Sequence, residues 1–132
     1  MKKEQKVKTL REIFTENELP LTGKPELDSK YEKAIEIILN ADTVEETAFD
    51  IDDKKERKRV FEKIDNDWAA AYSIFDELGK AGHAESLFKQ GLCCCYGIAQ
   101  PDKNSNYTKA AGYFQKAAAL GHNGAKKTLE SL

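Results

Sequence analysis

Gly82-His83-Ala84-Glu85-Ser86 returns 39 residues later as Gly121-His122-Asn123-Gly124-Ala125. The residues that precede the two copies recur at the same offset, and the matched pairs are Trp68 with Tyr107, Ala71 with Ala110, and Phe75 with Phe114. Their spacing by three and four residues is typical of one face of an α-helix. A period between about 20 and 50 residues indicates stacked units that bury their apolar faces against one another. The sequence therefore predicts a helical repeat.

Apolar periodicity predicts helices over most of the chain. The predicted ranges are 3–17, 26–40, 67–80, 83–97, 107–120 and 122–131. Gly82 suits a left-handed C-cap, and Gly97 and Gly121 are expected to end two further helices. No segment alternates like a strand. We expect one all-α domain over residues 1–132, built of antiparallel helical hairpins, with a charged N-terminal region, 1–66, before the repeat region, 67–132.

Residues 42–67 leave the helix boundaries open. Asp42-Thr43-Val44-Glu45 has the layout of a capping box and predicts a short third helix, while Asp52 or Asp53 can cap a fourth. The apolar stripe of that fourth helix passes through Asp65-Asn66-Asp67. One long helix and two abutting helices both fit this stripe. Three successive capping-type residues favour a break.

Composition limits the classes of function. With 33% charged residues, 40% hydrophobic residues and a net charge of −2, the chain fits a folded domain and lacks the basic surface that nucleic-acid binding requires. No apolar run approaches the roughly 20 residues of a membrane span. A cytosolic protein is expected, because the charged first residues precede no apolar signal segment. We expect no cofactor and no metal ion.

Two segments of the repeat region carry a family pattern. They are Gly82–Gly97 and Asn106–His122, and the second contains Lys109-Ala110, Tyr113-Phe114-Gln115-Lys116-Ala117-Ala118 and the Gly-His pair. With these segments the repeat region resembles the Sel1-like repeat family, a relative of the tetratricopeptide repeat. It implies helix pairs stacked as a short α-solenoid with an N-terminal helical extension. It also implies a scaffold for protein–protein contacts.

The chain departs from the pattern of that family at three places. Gln90 lies where the family usually has leucine, Cys94 where it has an aromatic residue, and Gly97-Ile98-Ala99 lacks a second glycine. The N-terminal half matches Trp68, Ala71 and Phe75 only through Tyr31, Ala34 and Ile38, at offset 37. A degenerate repeat over residues 26–66 and an unrelated extension both remain open.

Cysteines and histidines are the candidates for chemistry. Consecutive helical residues point about 100° apart, so Cys93, Cys94 and Cys95 cannot converge on one metal ion. We interpret them as buried thiols between helices, and a redox-sensing thiol is the alternative. His83 and His122 occupy equivalent positions at helix starts, which favours a structural role over catalysis.

An acidic tract is the candidate partner-binding site. Residues 42–53 contain six acids and no lysine or arginine. Five of them form the predicted site: Glu45, Glu46, Asp50, Asp52 and Asp53. The tract lacks the central glycine and terminal glutamate of a calcium loop. It would steer a partner protein with a basic surface.

The function expected from these features is non-enzymatic. We predict a protein–protein interaction module, for example a small inhibitor or immunity protein that neutralises a toxin. Two alternatives stay open: a thiol-based sensor or enzyme that uses Cys93–Cys95, and an adaptor that assembles with itself through the end faces of a short solenoid.

Overall fold

The described chain is helical. The computed structural model describes residues 9–15 and 24–132, apart from the side chain of Asp102. Within these ranges it contains six α-helices that pack against each other, a short 3-10 helix and no strand. The elements are α1 (Leu10–Thr15), α2 (Pro25–Ala48), α3 (Lys54–Lys80), α4 (Ala84–Cys95), the 3-10 helix Pro101–Lys103, α5 (Tyr107–Ala119) and α6 (Asn123–Ser131). The prediction of an all-α chain is confirmed.

Helices that are neighbours in sequence pack against each other, from α1 to α6. α2 and α3 are antiparallel: Lys30 Nζ, near the start of α2, lies 3.1 Å from Glu77 Oε1, near the end of α3. At the other end of this hairpin, Ala41 of α2 packs with Ile64 of α3. The chain therefore folds back between α2 and α3.

One buried cluster joins all six helices. Its members include Phe14, Ala34, Ile38, Ala71, Phe75, Phe88, Ala110, Phe114, Ala117 and Ala125. Four of the residues that recur at offset 39 belong to it, as the pairs Ala71 with Ala110 and Phe75 with Phe114. The third pair is unequal, because Trp68 is half-buried whereas Tyr107 is exposed. Small alanines and large aromatics thus share the helix interfaces.

The two Gly-His pairs form turns with the same hydrogen bonds. Gly82 and Gly121 have φ values of +88° and +94°, which favour glycine over residues with a side chain. The N–H of His83 donates to Leu78 O at 3.0 Å, and the N–H of His122 donates to Ala117 O at 3.1 Å. Each glycine N–H also donates to the carbonyl three residues earlier, which completes a Schellman motif. The predicted left-handed cap at Gly82 is confirmed.

Each of these histidines also begins the next helix as its N-cap. His83 Nδ1 accepts the N–H of Ser86 at 3.2 Å, and His122 Nδ1 accepts the N–H of Ala125 at 3.0 Å. An N-cap acceptor satisfies one of the N–H groups that a helix start leaves without an intrahelical partner. The structural role predicted for both histidines is thus that of an N-cap.

The prediction of a helix end near residue 40 and a new start at Asp42 is wrong. α2 continues to Ala48, and inside it Thr43 Oγ1 donates to Leu39 O at 3.0 Å. Ala41 and Ala48 are both buried against α3. Burial of this extra length outweighs the local capping preference of Asp42, since propensity is weaker than packing.

The predicted break at Asp65-Asn66-Asp67 is also wrong, because α3 runs through it without interruption. Ile64 is fully buried on one side of this tract, and Trp68 packs against both core clusters on the other. Lys63 Nζ pairs with Asp67 Oδ2 at 3.0 Å along the helix. One continuous apolar stripe against α2 therefore decides the length of α3. Its start was predicted correctly, since Asp53 caps α3 by accepting the N–H of Lys55 at 2.9 Å.

The remaining elements begin and end close to their predicted positions. The first predicted helix, 3–17, is described only as α1, and its outer residues lie outside the described ranges. Asn106 caps α5 by accepting the N–H of Lys109 at 3.0 Å. No helix in the described ranges has the length and apolar character needed to cross a lipid bilayer.

Two glycines in helix interiors provide a test of this packing. A Cβ on Gly91 would lie 2.3 Å from Phe114 Cε1, whereas a Cβ on Gly112 would meet nothing within 4 Å. We expect Gly91→Ala to lower the free energy of unfolding by about 1 to 3 kcal/mol through overpacking. Gly112→Ala should raise it by about 0.5 to 1 kcal/mol, because alanine favours the helix. Urea denaturation measures both, and equal effects of the two substitutions would contradict the α4–α5 interface described here.

Candidate functional site

The predicted partner-binding acids fall into two groups. Glu45 and Glu46 lie on the last turns of α2, Glu45 half-buried and Glu46 exposed. Asp50, Asp52 and Asp53 follow α2, and all three are exposed. The carboxylate of Asp53 accepts the hydrogen bond that caps α3, so it is less available to a partner than the other four. The other four are the acids that can face a partner without loss of a helix cap.

One exposed and one half-buried aromatic side chain lie beside the first group. Phe49 comes one turn after Glu45, is 69% exposed, and meets the ring of Phe61 from α3 edge to face at 5.0 Å. Asp65 lies one turn further along α3 than Phe61. We name the surface formed by Glu45, Glu46, Phe49, Phe61 and Asp65 the acidic-aromatic face. The sequence did not suggest it, because Phe49 follows α2 whereas Phe61 lies on α3.

Negative charge is concentrated at this face. Burial raises the pKa of Glu45, and repulsion from Asp42 and Asp65 adds to the shift while Lys103 opposes it. The pKa of Asp42 is raised by burial and then by repulsion from Glu46. Carboxylates whose pKa is raised in this way gain from an approaching positive charge, since opposite charge favours the ionised form.

A second cluster of charge is buried inside α4. The side chains of Lys89 and Glu85 are almost completely removed from solvent, and Lys89 Nζ lies 3.1 Å from Glu85 Oε1. The other oxygen of Glu85 lies 2.9 Å from His122 Nε2. His122 Nδ1 is the acceptor of its cap, so the ring carries its proton on Nε2 and donates it to Glu85. Lys89 also lies 5.3 Å from the centroid of the Phe88 ring.

Sequence reasoning missed this cluster, although a signal existed. Every residue from Glu85 to Cys94 is buried, so α4 is enclosed on all sides. A helix with so little polar surface is typical of a core element, and charged residues in a core need partners. Glu85 and Lys89 are four residues apart, which is the spacing of an ion pair along a helix.

His83 repeats the arrangement of His122 with a different acid. His83 Nε2 lies 3.6 Å from Asp28 Oδ1, in the first turn of α2. Burial lowers the pKa of His83, and the nearby Asp28 and Glu85 oppose that shift. In both pairs Nδ1 caps a helix and Nε2 faces a carboxylate on the helix two positions earlier. Both ring nitrogens are therefore engaged in holding helices together.

The three cysteines lie in environments that disfavour the thiolate. Cys93 and Cys94 are buried, and Cys95 is half-buried. Burial raises the pKa of Cys93 and of Cys94, and it raises the pKa of Cys95 to about 11. Since the thiolate is the reactive form, these shifts support a packing role. Among the described residues, no three side chains of His, Cys, Asp or Glu converge as a metal site would require.

We predict that His83 makes stability depend on pH. Its pKa in the folded protein lies below the ordinary value near 6.5, so as pH falls below about 6.5 the unfolded chain binds the proton first and stability decreases. The variant His83→Asn keeps an N-cap acceptor and cannot titrate. The unfolding free energy of the wild type should therefore fall more than that of His83→Asn between pH 7.5 and 5.5. The difference in unfolding free energy between the two proteins should change by up to about 1 kcal/mol over this range. The same pH dependence in both proteins would contradict the buried position of this ring.

Alkylation should reveal the thiol environments. We expect iodoacetamide to modify Cys95 first and slowly, with a rate that keeps rising between pH 7 and 9.5, because the pKa of Cys95 is about 11. Mass spectrometry of digested protein identifies the modified residue. Denatured protein serves as the control, and its rate should level off near the ordinary cysteine pKa of about 8.5. Rapid labelling of any of the three at pH 7 in the folded protein would favour the thiol sensor instead.

Comparison with known proteins leaves the family of the chain unassigned. No family model, curated protein or solved structure matches the sequence or the fold. The contacts and surfaces of the chain itself therefore support the functional proposal.

Proposed function

We propose that the chain is a short α-solenoid of the Sel1-like type and works as a non-enzymatic protein-binding module. Contacts between alternate helices support the solenoid. Asp28 in α2 faces His83 at the start of α4, and Glu85 in α4 faces His122 at the start of α6. The same contact thus links each first helix of a pair to the first helix of the next pair. Stacked repeats produce this relation, because every unit contacts its neighbours in the same way.

These contacts favour one alignment of the N-terminal half. The sequence match at offset 37 pairs α2 with α3, whereas the acid–histidine contacts pair α2 with α4. In the second alignment α2 and α3 form the first helix pair of the proposed solenoid, and α4 and α5 form the second. We therefore propose that residues 25–80 are a divergent first unit.

The acidic-aromatic face carries the proposal of protein binding. Phe49 exposes 69% of its surface among carboxylates, at the end of α2. Large exposed aromatics rimmed by polar groups are typical of interaction surfaces, and aromatic residues often dominate their binding energy. The carboxylates select a partner with a basic surface and accelerate its encounter. A small inhibitor or immunity protein that covers a basic active site of a toxin fits this description.

The buried acid–histidine pairs support a non-enzymatic role. A general base needs a ring nitrogen within hydrogen-bonding reach of the substrate. In His122, Nδ1 accepts a backbone N–H and Nε2 donates to Glu85, and the side chain is completely buried. Neither ring nitrogen of His122 is therefore available to a substrate.

Partner capture tests the proposal. We expect the tagged chain to retain one protein from its native source at a fixed stoichiometry. Phe49→Ser should abolish that retention, because it removes the aromatic anchor, whereas Leu120→Ser should not. Leu120 is a matched control: it is 52% exposed and lies at the far end of α5 from the connection that follows α4.

Rate measurements then separate the charge from the anchor. With the retained protein purified, Glu46→Lys combined with Asp50→Lys should slow association and flatten its dependence on salt, while dissociation changes little. Equal retention by the Phe49→Ser and Leu120→Ser variants would exclude this face. Retention of a second copy of the chain alone, with light scattering that shows a concentration-dependent mass, would favour the self-assembling adaptor.

A further inference from the structure

A small cleft lies between α3 and the connection from α4 to α5, next to the acidic-aromatic face. Its volume is about 280 Å³, and it is lined by Asp65, Trp68, Gly97, Ala99, Gln100 and Lys103. This volume is at the lower limit of small-molecule sites, which usually exceed about 300 Å³. The cleft therefore suits a single side chain better than a complete metabolite.

The chain places one of its own lysines in this cleft. Lys103 Nζ lies 3.4 Å from Asp65 Oδ2 and 5.9 Å from the centroid of the Phe61 ring. A carboxylate beside an aromatic face is the environment that binds an ammonium or guanidinium group. The position of Lys103 thus shows which chemistry the cleft accepts.

The backbone that presents Lys103 is strained. Lys103 and Ala99 have φ values of +57° and +56°, which residues with a side chain seldom adopt. The connection also folds tightly on itself, because a Cβ on Gly97 would lie 2.3 Å from the carbonyl oxygen of Lys103. Strain of this kind persists where the surrounding structure holds it, and it often marks functional positions.

The ion pair of Lys103 is weak enough to exchange. The side chains of Lys103 and Asp65 are 62% and 43% exposed. Exposed pairs contribute between zero and about 1 kcal/mol, so a better ligand can displace the lysine. Glu45 interacts electrostatically with both Lys103 and Asp65, and it would keep the cleft negative after Lys103 is displaced.

We propose that this cleft binds an arginine side chain of the partner protein, which displaces Lys103 from Asp65. Arginine should bind this cleft more tightly than lysine, because its planar guanidinium stacks on aromatic rings and pairs with a carboxylate through two parallel hydrogen bonds. Lys103 holds the carboxylate in the absence of a partner. This proposal rests on the proposed function for the identity of the ligand, while the cleft chemistry can be tested without any partner.

A capped tripeptide, acetyl-Gly-Arg-Gly-amide, is the probe. Trp68 is the only tryptophan of the chain and lines the cleft, so its fluorescence reports binding. We expect Lys103→Asn to bind the peptide up to about fivefold more tightly than the wild type, because the competing pair is removed. Asparagine tolerates the left-handed backbone of this position, and Lys103→Gly is the second variant if the first does not fold. Asp65→Asn should weaken binding below that of the wild type.

Two controls make the result decisive. Lys63→Gln removes a lysine from another exposed ion pair of α3, with Asp67, and changes the net charge by the same amount. The peptide with citrulline in place of arginine is neutral and should bind neither protein. Equal affinity of the wild type and Lys103→Asn, or equal tightening by Lys63→Gln, would overturn the proposal. The titration contains no partner protein, so its result is independent of partner capture. Tighter binding of the arginine peptide by Lys103→Asn supports the cleft proposal even if Phe49→Ser leaves partner retention unchanged. If the titration fails, retention of a partner does not support the cleft proposal.

Discussion

The fold depends on the constraint that a Gly-His pair imposes on the chain between two helices. The glycine adopts the left-handed conformation that ends one helix, and the next residue already caps the following helix. No residue is left for a flexible connection, so the direction of the second helix is fixed by the first. Histidine adds what serine or aspartate could not: a second ring nitrogen that reaches a carboxylate on another helix. One residue thus sets a turn, a helix start and a contact between alternate helices.

The contact between alternate helices also explains the buried charges of α4. The carboxylate of Glu85 contacts both His122 and Lys89, and the surroundings of α4 are apolar. Buried ion pairs seldom add stability over apolar packing, but removal of one partner is costly. Their value here lies in specificity, since only one position of α6 allows His122 to reach Glu85 while its other nitrogen caps the helix. We therefore regard the cluster as the device that orients α6 on α4.

Local sequence predicted the parts of the fold that local chemistry decides. The left-handed cap at Gly82 and the cap of α3 at Asp53 depend on a few adjacent residues, and these predictions were right. The breaks expected at Asp42 and at Asp65–Asp67 were wrong, because burial of Ala48 and Ile64 across the α2–α3 interface outweighs a capping preference. The acidic-aromatic face had no local signature either. Its acids could be found in the sequence, but Phe61 and Asp65 join them only through that interface.

The acid–histidine contacts and the proposed binding surface lie at opposite ends of the helices. The acid–histidine contacts lie at the starts of α2, α4 and α6, whereas Phe49 and Lys103 lie beyond the ends of α2 and α4. Twelve residues of α4 place about 18 Å between these ends at 1.5 Å per residue. Substitutions that far apart, without shared partners, have nearly additive effects on stability. Charge and shape at the ends of α2 and α4 can therefore vary while the histidine turns keep the helices in register, and the proposed binding of one partner would use this independence.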